Sequence, residues 1–265
     1  MAITVLGLNF GHDGSACVVK DGKLVSAIAT ERITRFKKER GVTKRTIKYV
    51  LDKANMKFDD IDVVSVNNYF WDRGLEGEEL FDKTKEDFSI TNDNGIEFSE
   101  QEWRQLAQNS AMVAQGMYNF SVGDQTKRCF FLDHHFSHCA YAYFMSPYKD
   151  AICLSIDFAD NVGANHSAYY FDDKNTIFRP LRRGGDFTIG SYYGQICDYL
   201  GFYPSLTDAG KVMALAAYGT PFEDYKDFSW PNVVQMGDIF HGDMYLHTIS
   251  RAGIKNFPDN RVFYP

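Results

Sequence analysis

Two rhythms of hydrophobic and polar positions take turns along this chain. Ile3–Phe10 is an apolar run rich in β-branched residues and reads as a buried strand. Cys17–Lys20 and Lys23–Thr30 read as strands joined by Asp21-Gly22, a favoured two-residue hairpin turn. The period then lengthens, and after Thr43 the residues Ile47, Val50, Leu51 and Ala54 share one helical face. Ile61–Val66 predicts another strand. Ser99-Glu100-Gln101-Glu102 is a capping-box pattern and predicts a helix with Trp103, Leu106, Ala107, Ala114 and Met117 turned inward. Arg128–Leu132 follows as a strand, and Asp133 leads into a further helix.

The opening rhythm then returns. Ala151–Phe158 reads as a buried strand, Ala159–Asn165 as a polar loop, and His166–Phe171 with Thr176–Leu181 as a second hairpin across Asp172-Asp173-Lys174-Asn175. The two first strands begin at Ile3 and Ala151, roughly 148 positions apart. Two amphipathic helices come next. One carries Tyr193, Ile196, Cys197 and Leu200 and ends at Gly201; the other carries Val212, Leu215 and Ala216 and ends at Gly219. Beyond Thr220 the pattern fades.

Strand, polar loop, hairpin and helices, occurring twice, is the plan of the duplicated βββαβα fold of actin, the sugar kinases and the heat-shock ATPases, an α/β architecture. There a nucleotide lies between two lobes, its phosphates held by the hairpin loops, here near Gly11–Ser15 and Asp160–Gly163. The expected division is lobe one over residues 1–149 and lobe two over 150–265, with the second lobe incomplete. A three-stranded sheet covered on one face only would leave Ile152, Leu154 and Ile156 poorly shielded.

Composition narrows the class without naming a reaction. With 45 % hydrophobic and 24 % charged residues the chain fits a globular domain. No apolar run reaches the length of a membrane span, and the first residues carry no basic leader. Five scattered cysteines without CxxC spacing predict reduced thiols and, with the rest, a cytoplasmic protein. The net charge of −7 is unevenly spread: Lys20 to Lys48 holds ten Lys/Arg against three Asp/Glu, a local +7 that leaves −14 on the remainder. Such a segment is either a solvated helix and loop or a place where phosphate or polyanion is met.

Candidate chemistry is concentrated in a few motifs. In Asp133-His134-His135-Phe136-Ser137-His138, the histidines at 134 and 138 stand one helical turn apart. That spacing suits two nitrogen ligands on one metal, and equally a structural histidine pair. Asp157, at the end of the strand that reopens the pattern, adds a carboxylate; two imidazoles with one carboxylate suit Fe(II), Mn(II) or Zn(II). Gly11-His12-Asp13-Gly14-Ser15 is an ordinary turn or an anion cradle with a titratable pair, His12 and Asp13, beside it. Asp160-Asn161-Val162-Gly163 holds the matching position in the second copy. Gly210-Lys211 stands where a helix is expected to start, as an anion site or as an exposed lysine.

Four segments, GLNFGHDGSACVVKDGKLVSAIATERITRFK, DHHFSHCAYAYFMSP, SIDFADNVG and GSYYGQICDYLGFYPSLTDAGKVMALAAYG, resemble in that order the O-carbamoyltransferases of antibiotic and nodulation-factor biosynthesis. The amino-terminal half of that family is similar to the tRNA threonylcarbamoyl-transferring ATPase, an actin-like fold holding iron through an HxxxH pair. The resemblance implies His134, His138 and Asp157 as metal ligands, and His12 beside the reacting carbamoyl. It also implies Gly11, Gly14, Ser15, Asp160, Gly163, Gly210 and Lys211 as contacts of ATP-derived carbamoyl-adenylate. A YrdC-like domain makes that adenylate from carbamoyl phosphate in the family. Neither that domain nor the family's late second aspartate ligand is expected within these residues, so the chain reads as a truncation, as part of a split enzyme whose partner chain supplies them, or as a stand-alone binding domain. The acceptor is expected to be a hydroxyl on a small molecule or nucleotide, away from any membrane. The other readings are a tRNA threonylcarbamoyl-type transferase and a non-catalytic nucleotide-binding module.

Overall fold

The computed structural model describes residues 2–11, 13–67, 89–96, 114–157, 166–172, 174, 177–184, 197, 200–202 and 205–219. The chain is α/β, and it divides into two compact units. Unit one comprises Met1–Ala151 with Tyr170–Pro180, and unit two comprises Ile152–Tyr169 with Leu181–Pro265.

Unit one opens on the expected meander: β1 (Thr4–Asn9), β2 (Ser15–Lys20) and β3 (Lys23–Ala29), each antiparallel to the next. The turn between β2 and β3 places both Asp21 (φ 52°) and Gly22 (φ 73°) in the left-handed region, as a right-twisted hairpin requires. Thr30, expected as the last residue of the strand, instead begins a short helix, α1 (Thr30–Thr34). Helix α2 (Lys44–Ala54) starts where the pattern placed it. Thr43 Oγ1 accepts from the Thr46 N–H at 3.2 Å, and Asn55 (φ 55°) closes the other end.

After α2 the chain crosses to β4 (Val63–Asn67), parallel to β1, and the sheet continues through β7 (Gln125–Leu132), parallel to β4. Two antiparallel strands extend it, β6 (Ala114–Val122) beside β7 and β5 (Ser89–Thr91) at the edge. The full order is β3-β2-β1-β4-β7-β6-β5. Here the sequence reading needs correction. Ala114 and Met117, assigned to a helix, lie in β6. The capping-box segment and the residues from 101 to 113 fall outside the described residues.

The two faces of this sheet differ in kind. Leu6, Leu8, Ala16, Val18, Val64, Val66 and Phe131 are buried on the face that meets Ile47, Val50 and Leu51 of α2. The intervening positions point the other way: Val5, Val19, Val63 and Phe130 are apolar, while Gly7, Asn9, Ser15, Cys17, Ser65 and Asn67 are small or polar. Register places Ser15, Asn9 and Asn67 in one lateral row, and Cys17, Gly7 and Ser65 in the next. A side chain at Gly7 would put its Cβ 2.8 Å from Cys17 Sγ, so the floor there stays bare.

Helix α3 (His134–Met145) follows β7, with Asp133 as N-cap: its Oδ1 accepts the Phe136 N–H at 2.7 Å. Phe136 and Tyr143 of this helix stack on Phe171 at ring separations of 5.6 and 4.8 Å, which fixes the inner side of α3.

A second sheet has the order β10-β9-β8, formed by β8 (Asp150–Ile156), β9 (His166–Asp172) and β10 (Ile177–Gly184). β8 is a strand as expected, but it is not a buried one. Ile152, Leu154 and Ile156 are 62, 67 and 48 % exposed, which agrees with a sheet covered on one face only. In unit two Cys197 is helical and Gly201 (φ 75°) ends its helix, with the Phe202 N–H closing back on the Cys197 carbonyl at 2.8 Å. Helix α4 (Ser205–Ala216) follows, and of its expected inner face only Val212 is buried.

All five cysteines are free thiols, and burial pushes those of Cys17 and Cys129 above their ordinary range. Among the described residues no helix is long and apolar enough to cross a membrane.

Candidate metal and nucleotide site

The histidine pair is built by the cap that precedes it. Asp133 holds the first turn through the Phe136 N–H, while the Ser137 hydroxyl returns a hydrogen bond to the Asp133 carbonyl at 2.8 Å. On a helix so anchored, His134 and His138 project from one face. Their Nε2 atoms stand 3.3 Å apart, and the ring planes are nearly perpendicular at 81°. His134 is buried and His138 is exposed, so the pair spans the protein surface at this point.

Two chemistries fit that separation. One is a hydrogen bond between neutral imidazoles, with the tautomers unassigned. The other is chelation: two nitrogens each about 2.0–2.1 Å from one tetrahedral ion stand about 3.3 Å apart. The donor set is therefore compatible with a divalent ion. Asp157 follows the last residue of β8, half-buried, in unit two. His135, between the ligand candidates, is fully buried.

The Gly11–Ser15 turn shows what its glycines do. A Cβ on Gly14 would come within 1.8 Å of the Gly41 carbonyl oxygen, so only glycine fits there. The Gly14 N–H donates to the Glu39 carbonyl at 2.8 Å, the Gly41 N–H to the Gly11 carbonyl at 3.1 Å, and the Gly11 N–H to Asn9 Oδ1 at 3.2 Å. Thr30 ties both strands of this contact, donating its N–H to the Gly14 carbonyl and its hydroxyl to the Gly41 carbonyl. The amides of Gly11 and Gly14, expected to meet a phosphate, are thus already committed within the protein. Asp13 (φ 55°) is exposed at the tip of the turn. His12 lies outside the described residues, as do Asp160 and Gly163.

Gly210 and Lys211 are not at a helix start. Helix α4 begins at Ser205, which puts both residues in its second turn, where backbone N–H groups are spent on the helix itself. The Lys211 ammonium lies 6.0 Å from the Phe202 ring centroid.

An α/β unit with a one-turn histidine pair after its central parallel strands is the class of domain that fold and site define. The sequence model of the carbamoyltransferase N-terminus matches residues 4–229, and the chain belongs to that family. It is 26 % identical over 80 % of its length to the nodulation protein NolNO of Sinorhizobium fredii, covering 28 % of that protein. It is also 28 % identical to an uncharacterised protein of Methanocaldococcus jannaschii, over 81 % of this chain and 33 % of the relative. A Synechocystis protein, likewise uncharacterised, is 27 % identical over 88 % of this chain and 37 % of its own. The chain thus spans about a third of the length of the relatives it matches.

Proposed function

We propose that this chain is the actin-like part of an O-carbamoyltransferase, in which His134, His138 and Asp157 hold a divalent metal, Fe(II) by resemblance. The observation that carries the reading is the 3.3 Å approach of the two Nε2 atoms within a chain matched to the carbamoyltransferase N-terminus over residues 4–229. The β10-β9-β8 sheet has the same third-second-first order as β3-β2-β1, which supports a duplicated fold. The whole reaction belongs to a longer assembly, with a YrdC-like partner making carbamoyl-adenylate from carbamoyl phosphate and ATP.

In this reading the acceptor oxygen bonds to the carbamoyl carbon and the bond from that carbon to the adenylate phosphate oxygen breaks. The hydroxyl proton passes to His12 as general base, and AMP leaves with the bonding pair. His134, His138 and Asp157 would hold the divalent ion, which would supply Lewis-acid chemistry to the transfer. Asp133 orients the pair through the first turn of α3. With the Gly11 and Gly14 amides committed, Ser15 is the described residue of the turn left to the adenylate contacts that the resemblance implies.

Metal analysis of untagged protein tests the centre. About one equivalent of divalent ion is expected, lost in a His134→Ala, His138→Ala double variant. Mass spectrometry of candidate hydroxyl acceptors, incubated with carbamoyl phosphate, ATP and a YrdC-like partner, tests the transfer by a gain of one carbamoyl group. Full metal retention by the double variant sinks the site.

A further inference from the structure

The register of the large sheet puts one residue, Asn67, between the Gly11–Ser15 turn and the histidine pair. Ser15, Asn9, Asn67 and Leu132 lie in one lateral row across β2, β1, β4 and β7. Asn9, Asn67 and Leu132 are the last residues of the parallel strands β1, β4 and β7. In open α/β sheets, ligands bind outside the carboxyl ends of such strands. One end of the row is the last residue of the turn, Ser15; at the other, Asp133 and His134 follow Leu132 directly.

The two asparagines of this row are used differently. Asn9 is spent on the turn: its Oδ1 accepts the Gly11 N–H at 3.2 Å, and its Nδ2 donates to the Asp13 carbonyl at 3.4 Å. Asn67 is held through its backbone, where its carbonyl accepts the Phe10 N–H at 3.0 Å. Its side-chain Oδ1 is shut off from solvent and meets no donor among the described residues. Asn67 lines a cavity whose surface is mostly apolar, with Ser137, the neighbour of His138, on the wall. In such surroundings an unpaired acceptor is costly, and a ligand that donates to it recovers that cost.

We propose that Asn67 is a specificity residue for the carbamoyl group, its Oδ1 accepting from the carbamoyl NH2. This rests on the transferase reading, which puts carbamoyl-adenylate between the turn and the histidine pair. At the reacting end of that molecule the phosphate and the carbonyl offer only acceptors, and the NH2 is the one donor. The unmet atom of the protein is an acceptor, so each completes the other. A carbamoyl group is also small and uncharged, as a mostly apolar cavity requires. An acetyl group has the same shape with CH3 in place of NH2. It would leave Asn67 Oδ1 unpaired, so the contact selects carbamoyl over acetyl.

The test uses two stable analogues in which a sulfamate replaces the labile phosphate, adenosine carrying a carbamoylsulfamoyl group and adenosine carrying an acetylsulfamoyl group. They differ only in NH2 against CH3, so the ratio of their dissociation constants reads the Asn67 contact and cancels effects common to both. Titration calorimetry on the whole 265-residue chain should show about tenfold tighter binding of the carbamoyl analogue. Asn67→Leu, which fills the space without the oxygen, should bring the ratio to about one. Asn67→Asp keeps an accepting oxygen and should preserve the preference. Equal binding of the two analogues by the wild-type chain overturns the assignment and leaves the transferase reading standing, whether or not the leucine variant folds. An undiminished preference in the leucine variant does the same. If the wild-type chain binds neither analogue, the transferase reading itself falls, and the assignment of Asn67 with it.

Discussion

Two meanders in this chain run in the same order, third-second-first, and differ in what covers them. β1 alternates buried and half-buried positions, with Leu6 fully buried and Leu8 3 % exposed. β8 is just as apolar in sequence, yet its Leu154 is 67 % exposed and Ser155 is the buried residue. An apolar β-branched run specifies a strand, because such side chains fit a pleated surface. It does not specify burial, which is supplied by the layer packed on top. β1 has α2, whose Ile47, Val50 and Leu51 join its core.

The comparison breaks most sharply with matched truncations. Leu6→Ala should cost about 3 kcal/mol through the lost apolar contacts and the cavity left behind. Leu154→Ala should stay within about 0.5 kcal/mol, as exposed substitutions usually do. Urea unfolding followed by circular dichroism measures both. Equal costs would mean that β8 is as well packed as β1.

Gly14 sharpens the contrast within unit one. Gly14→Ala must displace the Gly41 carbonyl, which its Cβ would approach to 1.8 Å, and with it the ties between Gly14, Glu39 and Thr30. A loss of about 2–3 kcal/mol is expected from overpacking against backbone. Gly22→Ala meets nothing within 4 Å and bears only its left-handed φ of 73°, so about 1 kcal/mol is expected. Thermal unfolding of the pair tests whether close approach or backbone freedom explains the glycines of this meander.

A smaller effect is expected at the start of α3. Asp133→Ala removes the cap on the Phe136 N–H and should cost about 1 kcal/mol. Asp133→Asn keeps an accepting oxygen and should recover most of it. Because the cap positions the histidine pair, the alanine variant should also bind divalent ions more weakly, a change that titration calorimetry reads separately from stability.

Local chemistry made much of this legible in the sequence. The Asp21-Gly22 turn, the helix after Thr43, the helix that Asp133 leads into and the one-turn histidine spacing each depend on residues within a few positions of one another, and each stands where it was expected. β6 was missed because Ala114 and Met117, three apart, mimic a helical face. The alternation of Tyr118, Phe120 and Val122, all packed into the core, was the signal that a strand ran there. The start of α4 was misplaced onto Gly210, although Ser205-Leu206-Thr207-Asp208 carries a capping pattern at the true start. The commitment of the Gly11 and Gly14 amides was not legible at all, since the Glu39–Gly41 partner lies some 25 residues on and no local rhythm encodes that contact. The same holds for the small and polar rows of the sheet, which exist only through the parallel register of β1 and β4.

The smallest effect on stability is expected where the two meanders differ most. Ile152, Leu154 and Ile156 sit two apart on β8, so they share one face of the strand and form an apolar strip in contact with water. Threonine has the β-branched shape that suits a strand, as the two isoleucines do, and adds a hydroxyl that water can meet. Ile152→Thr, Leu154→Thr and Ile156→Thr together should therefore leave the unfolding midpoint nearly unchanged, because little buried area is lost. The readout lies in solution behaviour. An exposed apolar strip promotes self-association and dye binding, so the triple variant should bind less anilinonaphthalene sulfonate and sediment as a smaller species at high concentration. If it unfolds far more readily instead, the strip is covered in solution and β8 is a core strand after all, like β1.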